Sequence, residues 1–435
     1  MTTNPPDALG QLLRGEWRDP DDGALLAVPV RAVAIERTLR GAEADLVMPL
    51  QLGPRLAVIS DRVTREVLGE RVERALAGRF ALVPVVLDGQ PHADTATVAC
   101  IVRACAAADA LVAVGSGTIN DLCKHAAALA GKPYVVFATA PSMNGYTSAN
   151  AAITVDGHKQ SLPAAPPLGV FIDLEVFAAA PARMIRAGLG DSLCRATAQC
   201  DWLLSHALHG TRYRRAPFAL LAPDEPGLLD EPEALLRGDI EAMRALARTL
   251  VLSGLGMTIC GGSYPASQGE HLISHYIDMF APEDRASCFH GEQVAVATLT
   301  MARIQEASLA SGPPQFVPSS VTCADLQGQF GAAIGQSCWS SFAAKRLRPD
   351  TADQLTRHVA SNWNSIVANS RDVMIDATRI ERIMHRVDGP TTPADLGLTA
   401  DFYAEAVRNA RFLRDRYTFL DFADDAGRLS GSTSW

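Results

Sequence analysis

Between residues 56 and 138, short apolar runs alternate with segments of helical spacing, and this alternation restricts the fold more than any other feature of the chain. Leu56–Asp61 is an apolar run ending in a carboxylate, and Arg62–Leu76 follows with Val63, Val67, Leu68, Val72 and Leu76 at helical spacing. Phe80–Leu87 is a second strand candidate, and the Ala/Val-rich stretch 95–108 reads as a helix. Ala110–Val114 is a third strand, running directly into Gly115-Ser116-Gly117-Thr118 and a helix over Ile119–Leu129. Tyr134–Ala138 is a fourth, opening into Thr139–Tyr146. Strands that alternate with helices pair in parallel and have both faces covered, so this half is α/β. In such sheets ligands bind beyond the carboxyl ends of the strands. Asp61, Gly115–Thr118 and Thr139–Tyr146 are the loops expected there.

Gly115 and Gly117 let backbone approach a phosphate, and the helix that follows offers N–H groups and a positive dipole end. The same glycines also suit a tight strand-to-helix turn on steric grounds alone. Asn120 stands where the GxGxxG fingerprint has its third glycine, so the ordinary form of that motif is absent. Asp61 can hydrogen-bond a ribose hydroxyl, or it can cap the helix that follows it.

The length of 435 residues exceeds one ordinary core, and two domains are expected, 1–180 and 181–435. Hydrophobic residues at 48% against 20% charged argue for a globular chain without extensive disorder. The net charge of −9 argues against a nucleic-acid binder but leaves room for a locally positive pocket for a small anion. Nine cysteines without a CxxC indicate neither a structural zinc site nor a disulfide framework, and they suit a reducing cytoplasm. No signal peptide and no uninterrupted apolar run of membrane-spanning length stand out, so a soluble cytoplasmic protein is expected. Residues 1–25 read as a loosely packed lead-in and Leu220–Glu233 as an exposed loop. Helical patterns over Ser192–Leu208, Ile240–Leu255, Val294–Leu309, Thr351–Ala368, Ala377–Val387 and Ala400–Phe422 make the second half mainly helical.

That half carries a concentration of histidine in Gly269–Gln293: His271, His275 and His290. His271 and His275 are four apart and share a helix face; His290 follows a break at Ala281-Pro282-Glu283-Asp284. Two imidazoles plus a carboxylate from elsewhere would make a three-ligand metal site with an open position. Packed or surface histidines are the competing reading, and the spacing does not choose among the three rings.

Seven segments stand in order: VGSGTINDLCK (114–124), ATAPSMNGY (138–146), KQSLPAAPP (159–167), AGLGDSLCRATAQCDW (187–202), YPASQGEHLISH (264–275), HGEQVAVATL (290–299) and RDRYTFLD (414–421). The series resembles the sn-glycerol-1-phosphate dehydrogenase family, in particular its bacterial AraM-like branch, within the iron-containing alcohol dehydrogenase and dehydroquinate synthase-like superfamily. The resemblance covers roughly residues 50–425.

The resemblance implies a dehydroquinate synthase-like fold: an α/β dinucleotide-binding domain followed by a mainly α-helical domain, with metal and substrate in the cleft. It assigns the metal to Asp191, His271 and His290, and leaves His275 as a neighbour of the metal or nicotinamide. A packed polar residue is the other reading of His275. It carries NAD or NADP binding onto Asp61, Gly115, Ser116, Gly117, Thr118, Asp121, Thr139 and Ser142. Lys124 completes the family's GSGTxxDxxK pattern; an Asp121–Lys124 ion pair on one helix face is the plain alternative. Where the family commonly has SMDGY, this chain has Asn144, which donates as well as accepts but carries no charge. Asn144 therefore bears on the substrate more than on the reaction class.

The reaction implied is hydride transfer between NAD(P)H and dihydroxyacetone phosphate, giving sn-glycerol 1-phosphate, with a divalent metal (zinc, nickel or iron) as Lewis acid. Asp61 facing a ribose would repel a 2′-phosphate, which favours NAD. Lys159 is a candidate partner for the substrate phosphate, with a solvated loop lysine as the alternative. Two other readings share the scaffold: a polyol or alcohol dehydrogenase with an unphosphorylated substrate, and a dehydroquinate synthase-like sugar phosphate cyclase. A homo-oligomer is left open.

Overall fold

The computed structural model describes residues 7–155, 158–282 and 287–429. The first six residues of the lead-in, and Glu283 and Asp284 of the break before His290, lie outside them. The chain forms two compact units: residues 1–192 with 214–263, and residues 193–213 with 264–435. The division departs from a single cut near residue 180, because residues 214–263 pack with the first unit.

The first unit is built on a six-stranded sheet. Its strands are β1 (Ala32–Glu36), β2 (Arg55–Asp61), β3 (Ala81–Leu87), β4 (Ala110–Gly115), β5 (Tyr134–Ala138) and, after a hairpin of β6 (Asn150–Val155) and β7 (His158–Pro163), β8 (Gly169–Asp173). The order across the sheet is β1-β8-β5-β4-β2-β3, and every pair is parallel. The four strands expected from 56–138 are all present. β1 and β8, which extend the sheet on the other side, were not anticipated, and neither was the antiparallel hairpin. β4, β5 and β8 are buried along their whole length, as strands covered on both faces must be.

From β2 the chain moves outward to β3, whereas from β4 it moves the other way to β5 and β8. The connections therefore diverge between β2 and β4, where an open α/β sheet has its ligand crevice. β2 and β4 pair from Leu56↔Ala110 to Ile59↔Ala113, and continuing that register sets Asp61 opposite Gly115. Helices α1 (Glu70–Leu76), α2 (Thr95–Ala104) and α3 (Gly117–Ala130) belong to the crossovers. The expected helix Arg62–Leu76 is interrupted: Arg62–Thr64 and Glu70–Leu76 are α-helical and Arg65–Gly69 is a π turn.

Two expectations about loops are corrected. The lead-in is not loose: Ala8–Leu13 is a helix with Leu9 and Leu12 buried, and buried Asp19 pairs with Arg214. Leu220–Glu233 is not an exposed loop. Ala216–Leu221 and Glu225–Asp230 are helices that bury Leu220, Leu228 and Leu229.

Helix α4 (Ala182–His209) is continuous over 28 residues. Helix α5 (Ile240–Cys260), at 21 residues, is long and apolar enough by composition to cross a membrane, although Glu241, Arg244 and Arg248 interrupt its apolar run. Packing explains its composition: 61% of the apolar window is buried, and Arg248 on the same helix pairs with Asp224. It is a core helix of the first unit.

The second unit is helical among its described residues. α6 (Gly269–Phe280) packs on α7 (His290–Ala310), Ala377–Arg386 lies against α7 and Ala400–Asn409 against α6, and Pro349–Arg371 contributes to the same apolar core. Its core runs through Leu272, Ile273, Ile277, Val296, Met301, Phe419 and Phe422. The expected helix over Ala400–Phe422 is broken: Arg414 is extended (φ −144, ψ 162), and Thr418 caps a new helix, Phe419–Asp425.

Candidate metal and nucleotide sites

In the first unit the loop after β5 is held from three sides. Gly188 on α4 packs directly on it: a Cβ there would lie 1.6 Å from the Pro141 carbonyl oxygen. Gly254 on α5 does the same from another side, with Thr147 Oγ1 2.3 Å and Asn144 O 2.9 Å from a Cβ at that position. Thr147 Oγ1 donates to Val251 O at 2.6 Å and Thr258 Oγ1 to Thr147 O at 2.9 Å. The third support is Lys124, completely buried, whose Nζ donates to Gly145 O (2.6 Å), Asn150 O (2.9 Å) and Ser148 Oγ (3.0 Å). Burial lowers the affinity of Lys124 for its proton, while Asp121 acts in the opposite sense. Lys124 thus holds the loop and the start of the hairpin. Asp121 accepts from Ala152 N at 3.1 Å, so the Asp121–Lys124 pair fastens β6 to α3 and is not a plain surface pair.

The loop so fixed carries Thr139, Ser142 and Asn144, all buried. Thr139 N donates to Gly115 O at 3.2 Å, and a Cβ on Gly117 would meet the Met143 side chain at 3.1 Å. The two loops expected to bind nucleotide therefore touch. Gly115 has a steric reason of its own, since a Cβ would come within 2.5 Å of Ile119. Ser116 occupies the N-cap position of α3 without a side-chain bond to the helix, and Gly117 begins it. Asp61 forms a capping box with Thr64 (Oδ1 to Thr64 N, 2.7 Å), so its helix-cap reading is realised. Lys159 lies on β7 opposite Thr154, beyond the stretch that Asp121 and Lys124 fasten.

Asp191 is on α4, completely buried, and its Oδ2 accepts the Asn144 N–H at 2.7 Å. Asn144 Nδ2 is buried and has no hydrogen-bond partner. A buried donor in that condition costs roughly 1–3 kcal/mol unless something arrives to accept from it.

In the second unit the structure brings the three histidines together. The His271 and His290 ring centroids are 5.1 Å apart, His271 and His275 6.3 Å, and His275 and His290 6.4 Å. His271 Nδ1 lies 2.9 Å from Glu270 Oε1, and a carboxylate only accepts, so Nδ1 carries the proton and Nε2 the lone pair. Glu270 is completely buried. Burial opposes its charge, but the hydrogen bonds from His271 and Gln268 N prevail and hold its carboxyl below the usual range. Its other oxygen accepts from Thr197 at 3.1 Å.

His290 is set by a longer relay. Gln293 Nε2 donates to Asp278 (2.9 Å), which turns its Oε1 toward Ser274 Oγ (2.8 Å). The single Ser274 hydroxyl proton goes to that oxygen, so at 3.2 Å from His290 Nδ1 the serine must accept. His290 therefore also has its proton on Nδ1 and its lone pair on Nε2. Two imidazoles with Nδ1–H tied to oxygen acceptors and Nε2 presented form the usual dress of histidine metal ligands. One ligand atom each from Cys194, Glu270 and His271 also lie within 4.8 Å of one another. Glu270 is already engaged by three donors and Cys194 Sγ donates to Ala266 O (3.5 Å), so that trio supports His271 more than it makes a site of its own.

Glu270, Ser274, Gln293 and Asp278 were not anticipated as functional residues. Glu270 and Ser274 adjoin His271 and His275 in sequence, but adjacency gave no direction for their side chains. A separate cavity of about 250 Å³ in this unit, lined by Trp202, His209, Tyr264, Lys345 and Arg416, includes none of the three histidines.

The iron-containing alcohol dehydrogenase family model matches residues 35–181. A glycerol-1-phosphate dehydrogenase [NAD(P)+] of Bacillus licheniformis is 30% identical over 383 residues, 87% of this chain and 84% of that protein. An enzyme of the same name from Pyrococcus furiosus is 34% identical over 272 residues, 62% of this chain and 78% of that protein. Among solved structures, a probable glycerol dehydrogenase from Sinorhizobium meliloti has a TM-score of 0.59 at 21% identity, over 93% of this chain and 97% of its own. A sulfoacetaldehyde reductase from Bifidobacterium kashiwanohense, solved with NAD+, has a TM-score of 0.59 at 16% identity, over 93% of this chain and 98% of its own. At those identities the structural likeness concerns the fold: a parallel α/β domain followed by a helical one.

Proposed function

The chain belongs to the glycerol-1-phosphate dehydrogenase family of NAD(P)-dependent oxidoreductases, and on that premise we propose that it interconverts dihydroxyacetone phosphate and sn-glycerol 1-phosphate, with one divalent metal at Asp191, His271 and His290. The observation that carries the metal assignment is the common tautomer of His271 and His290, both with Nε2 as the ligand atom. Asp191 supplies a buried carboxylate one helical turn before Cys194, whose ligand atom is within 4.8 Å of that of His271. A carboxylate and two imidazoles suit zinc, nickel or iron(II). Bound there, the metal would supply Lewis acidity toward the oxygen of the reacting carbon.

The protein's own residues supply orientation. Gly115–Thr118 offer the N–H groups at the start of α3 to the cofactor's pyrophosphate, and Thr139 and Ser142 line the adjoining loop. Asp61, at the end of β2, faces the ribose and favours NAD, with one oxygen retained by its helix cap. Asp121 contributes indirectly, through the hairpin it fastens. Asn144 Nδ2 donates to a substrate hydroxyl, which satisfies its buried donor. Lys159 remains the candidate for the substrate phosphate. Nine cysteines without a disulfide suit a reducing cytoplasm.

Asn144 also favours a second reading, an unphosphorylated polyol as substrate, because its amide asks for an oxygen and not for a charge. The test is to load metal-depleted protein with zinc, nickel or iron(II) and follow NADH and NADPH absorbance. The panel is dihydroxyacetone phosphate, dihydroxyacetone and, in the reverse direction, glycerol. The phosphorylated ketone should be reduced with the highest kcat/KM. Turnover of dihydroxyacetone or glycerol without that of the phosphate would replace the main reading by the second.

A further inference from the structure

The segment AGLGDSLCRATAQCDW continues past Asp191 and places Thr197 and Asp201 four apart, on one face of α4. Asp201 is completely buried, and every hydrogen bond it makes among the described residues comes from a donor. Its Oδ2 accepts Gly269 N at 3.0 Å, and its Oδ1 accepts Phe419 N at 2.9 Å and Gln305 Nε2 at 3.2 Å. Burial and the nearby charge of Glu270 push its carboxyl up to about 8, while these three hydrogen bonds favour the charged form. Asp201, Gly269 and Phe419 belong to three of the seven ordered segments, which therefore meet at one carboxyl group.

Two of the three donors open helices: Gly269 is the first residue of α6 and Phe419 the first of Phe419–Asp425. The first N–H groups of a helix find no partner within it. At α6 the N-cap residue is Gln268, which makes no side-chain bond to the helix. Asp201 provides that cap from a position 68 residues away. The close approach requires glycine at 269, where a Cβ would lie 2.9 Å from Asp201 Oδ2 and 2.4 Å from Met301 Cε. On the same face of α4, Thr197 donates to Glu270 Oε2 at 3.1 Å. The other Glu270 oxygen accepts Gln268 N at 2.7 Å and the His271 Nδ1 proton at 2.9 Å. The setting of the His271 ring thus depends on the first turn of α6, and that turn is fastened at Gly269.

We propose that Asp201 is a positioning residue for the His271 ring: it caps α6 from α4 and so holds Glu270 where it orients the imidazole. Its effect passes through Gly269 and Glu270 in turn. The consequence for metal binding rests on the assignment of His271 to the metal given above; the setting of the ring does not.

Asp201→Asn is selective for the cap. An amide has one acceptor oxygen, and keeping it toward the two donors at Oδ1 turns the NH2 toward Gly269 N–H. Gln305→Leu is the control, since it removes a donor from the other side of the carboxyl and leaves the cap in place. The test uses the full chain, metal-free and labelled with 15N. Hydrogen exchange reads the Gly269 amide, and long-range 1H–15N correlations read the His271 tautomer, assigned by the signals missing from His271→Gln. The Gly269 amide should be protected in the unsubstituted protein, which needs no variant to fold. Asp201→Asn should lose that protection and lower the Nδ1–H fraction of His271, and Gln305→Leu should change neither, even where both variants melt earlier. Titrated with cobalt(II) against a chelator, Asp201→Asn should bind about tenfold more weakly, with an altered visible spectrum. An unprotected Gly269 amide in the unsubstituted protein, an unchanged His271 tautomer in Asp201→Asn, or an equal change in Gln305→Leu would overturn the proposal. If the tautomer responds as expected but His271→Gln binds cobalt(II) as tightly as the unsubstituted protein, the metal reading fails and the positioning of the ring stands.

Discussion

Alanine is a better helix former than glycine by about 1 kcal/mol, so a glycine buried inside the 28-residue helix α4 needs a physical reason. At Gly188 the reason is the Pro141 carbonyl oxygen, 1.6 Å from where a Cβ would sit. A close C–H···O contact needs about 3.3 Å, so Gly188→Ala requires a separation of roughly 1.7 Å between α4 and the loop. One turn further along α4, Asp191 Oδ2 receives Asn144 N–H from the same loop at 2.7 Å, and a displacement of that size is enough to break it. Overpacking costs about 1–3 kcal/mol and a buried donor left without its acceptor a further 1–3; the gain in helix propensity offsets about 1. The net expectation is a destabilisation of roughly 1–5 kcal/mol. For a unit of this size that is a fall in Tm of roughly 2–20 °C, read by thermal denaturation followed by circular dichroism. Gly227→Ala, on the helix Glu225–Asp230 with nothing within 4 Å of its Cβ position, is the control and should be neutral or slightly stabilising. If Gly188→Ala melts at or above the unsubstituted protein, the loop is not clamped as described, and the placement of Asn144 against Asp191 loses its support.

Three further outcomes are expected. Asn144→Ala removes a buried donor without a partner, so Tm should hold or rise while kcat/KM falls roughly 10- to 100-fold; a parallel loss of both would make Asn144 a structural residue. Glu270→Gln keeps the shape but not the charge that orients His271, and should weaken metal binding about 10- to 100-fold in a competitive chelator titration; an unchanged Kd would remove Glu270 from the site. Burial opposes the charge of Asp173, but hydrogen bonds from Leu39 N and Arg71 outweigh it and hold its carboxyl below the usual range. Its folded pKa is thus below the unfolded one. The stability it adds is complete above about pH 4 and is lost as pH falls through the folded value. Asp173→Asn should lower the urea midpoint at pH 7 and flatten its decline below pH 4; parallel curves for the two proteins would count against it.

The parts of the fold that sequence made legible were those with strong local periodicity. β2 to β5 are short apolar runs separated by helices, and each is where its pattern placed it. β1 and β8 have equally apolar sequences, Ala32–Glu36 and Gly169–Asp173, but no helix pattern brackets them as a crossover, and only the pairing of β8 with β5 and of β1 with β8 reveals them. In 220–233 the prolines and carboxylates dominated the composition. Leu228 and Leu229 are buried nonetheless, because Pro and Glu suit the first turn of a short helix as well as they suit a loop. At the other end, Ala400–Phe422 has no glycine or proline to announce a break. The chain leaves the helix at Arg414, where Arg414 meets His275 on α6 and Arg416 donates to Ser267 O just before it.

The site was less legible than the fold, and for a reason that residue type alone does not cure. Spacing set His271 and His275 on one face as equals, and only the family resemblance preferred the first. The physical distinction lies in which groups approach Nδ1: a carboxylate one residue away for His271, and an arginine 139 residues away for His275. The same separation in sequence hides the tautomer of His290, which depends on Ser274, Gln293 and Asp278 acting in series. Lys124 illustrates the converse. Its motif suggests a ligand contact, but three acceptors from the loop and hairpin surround its ammonium, so its contribution to binding passes through the loop that it holds. A side chain's chemistry in such a site is fixed by the partner it meets after folding.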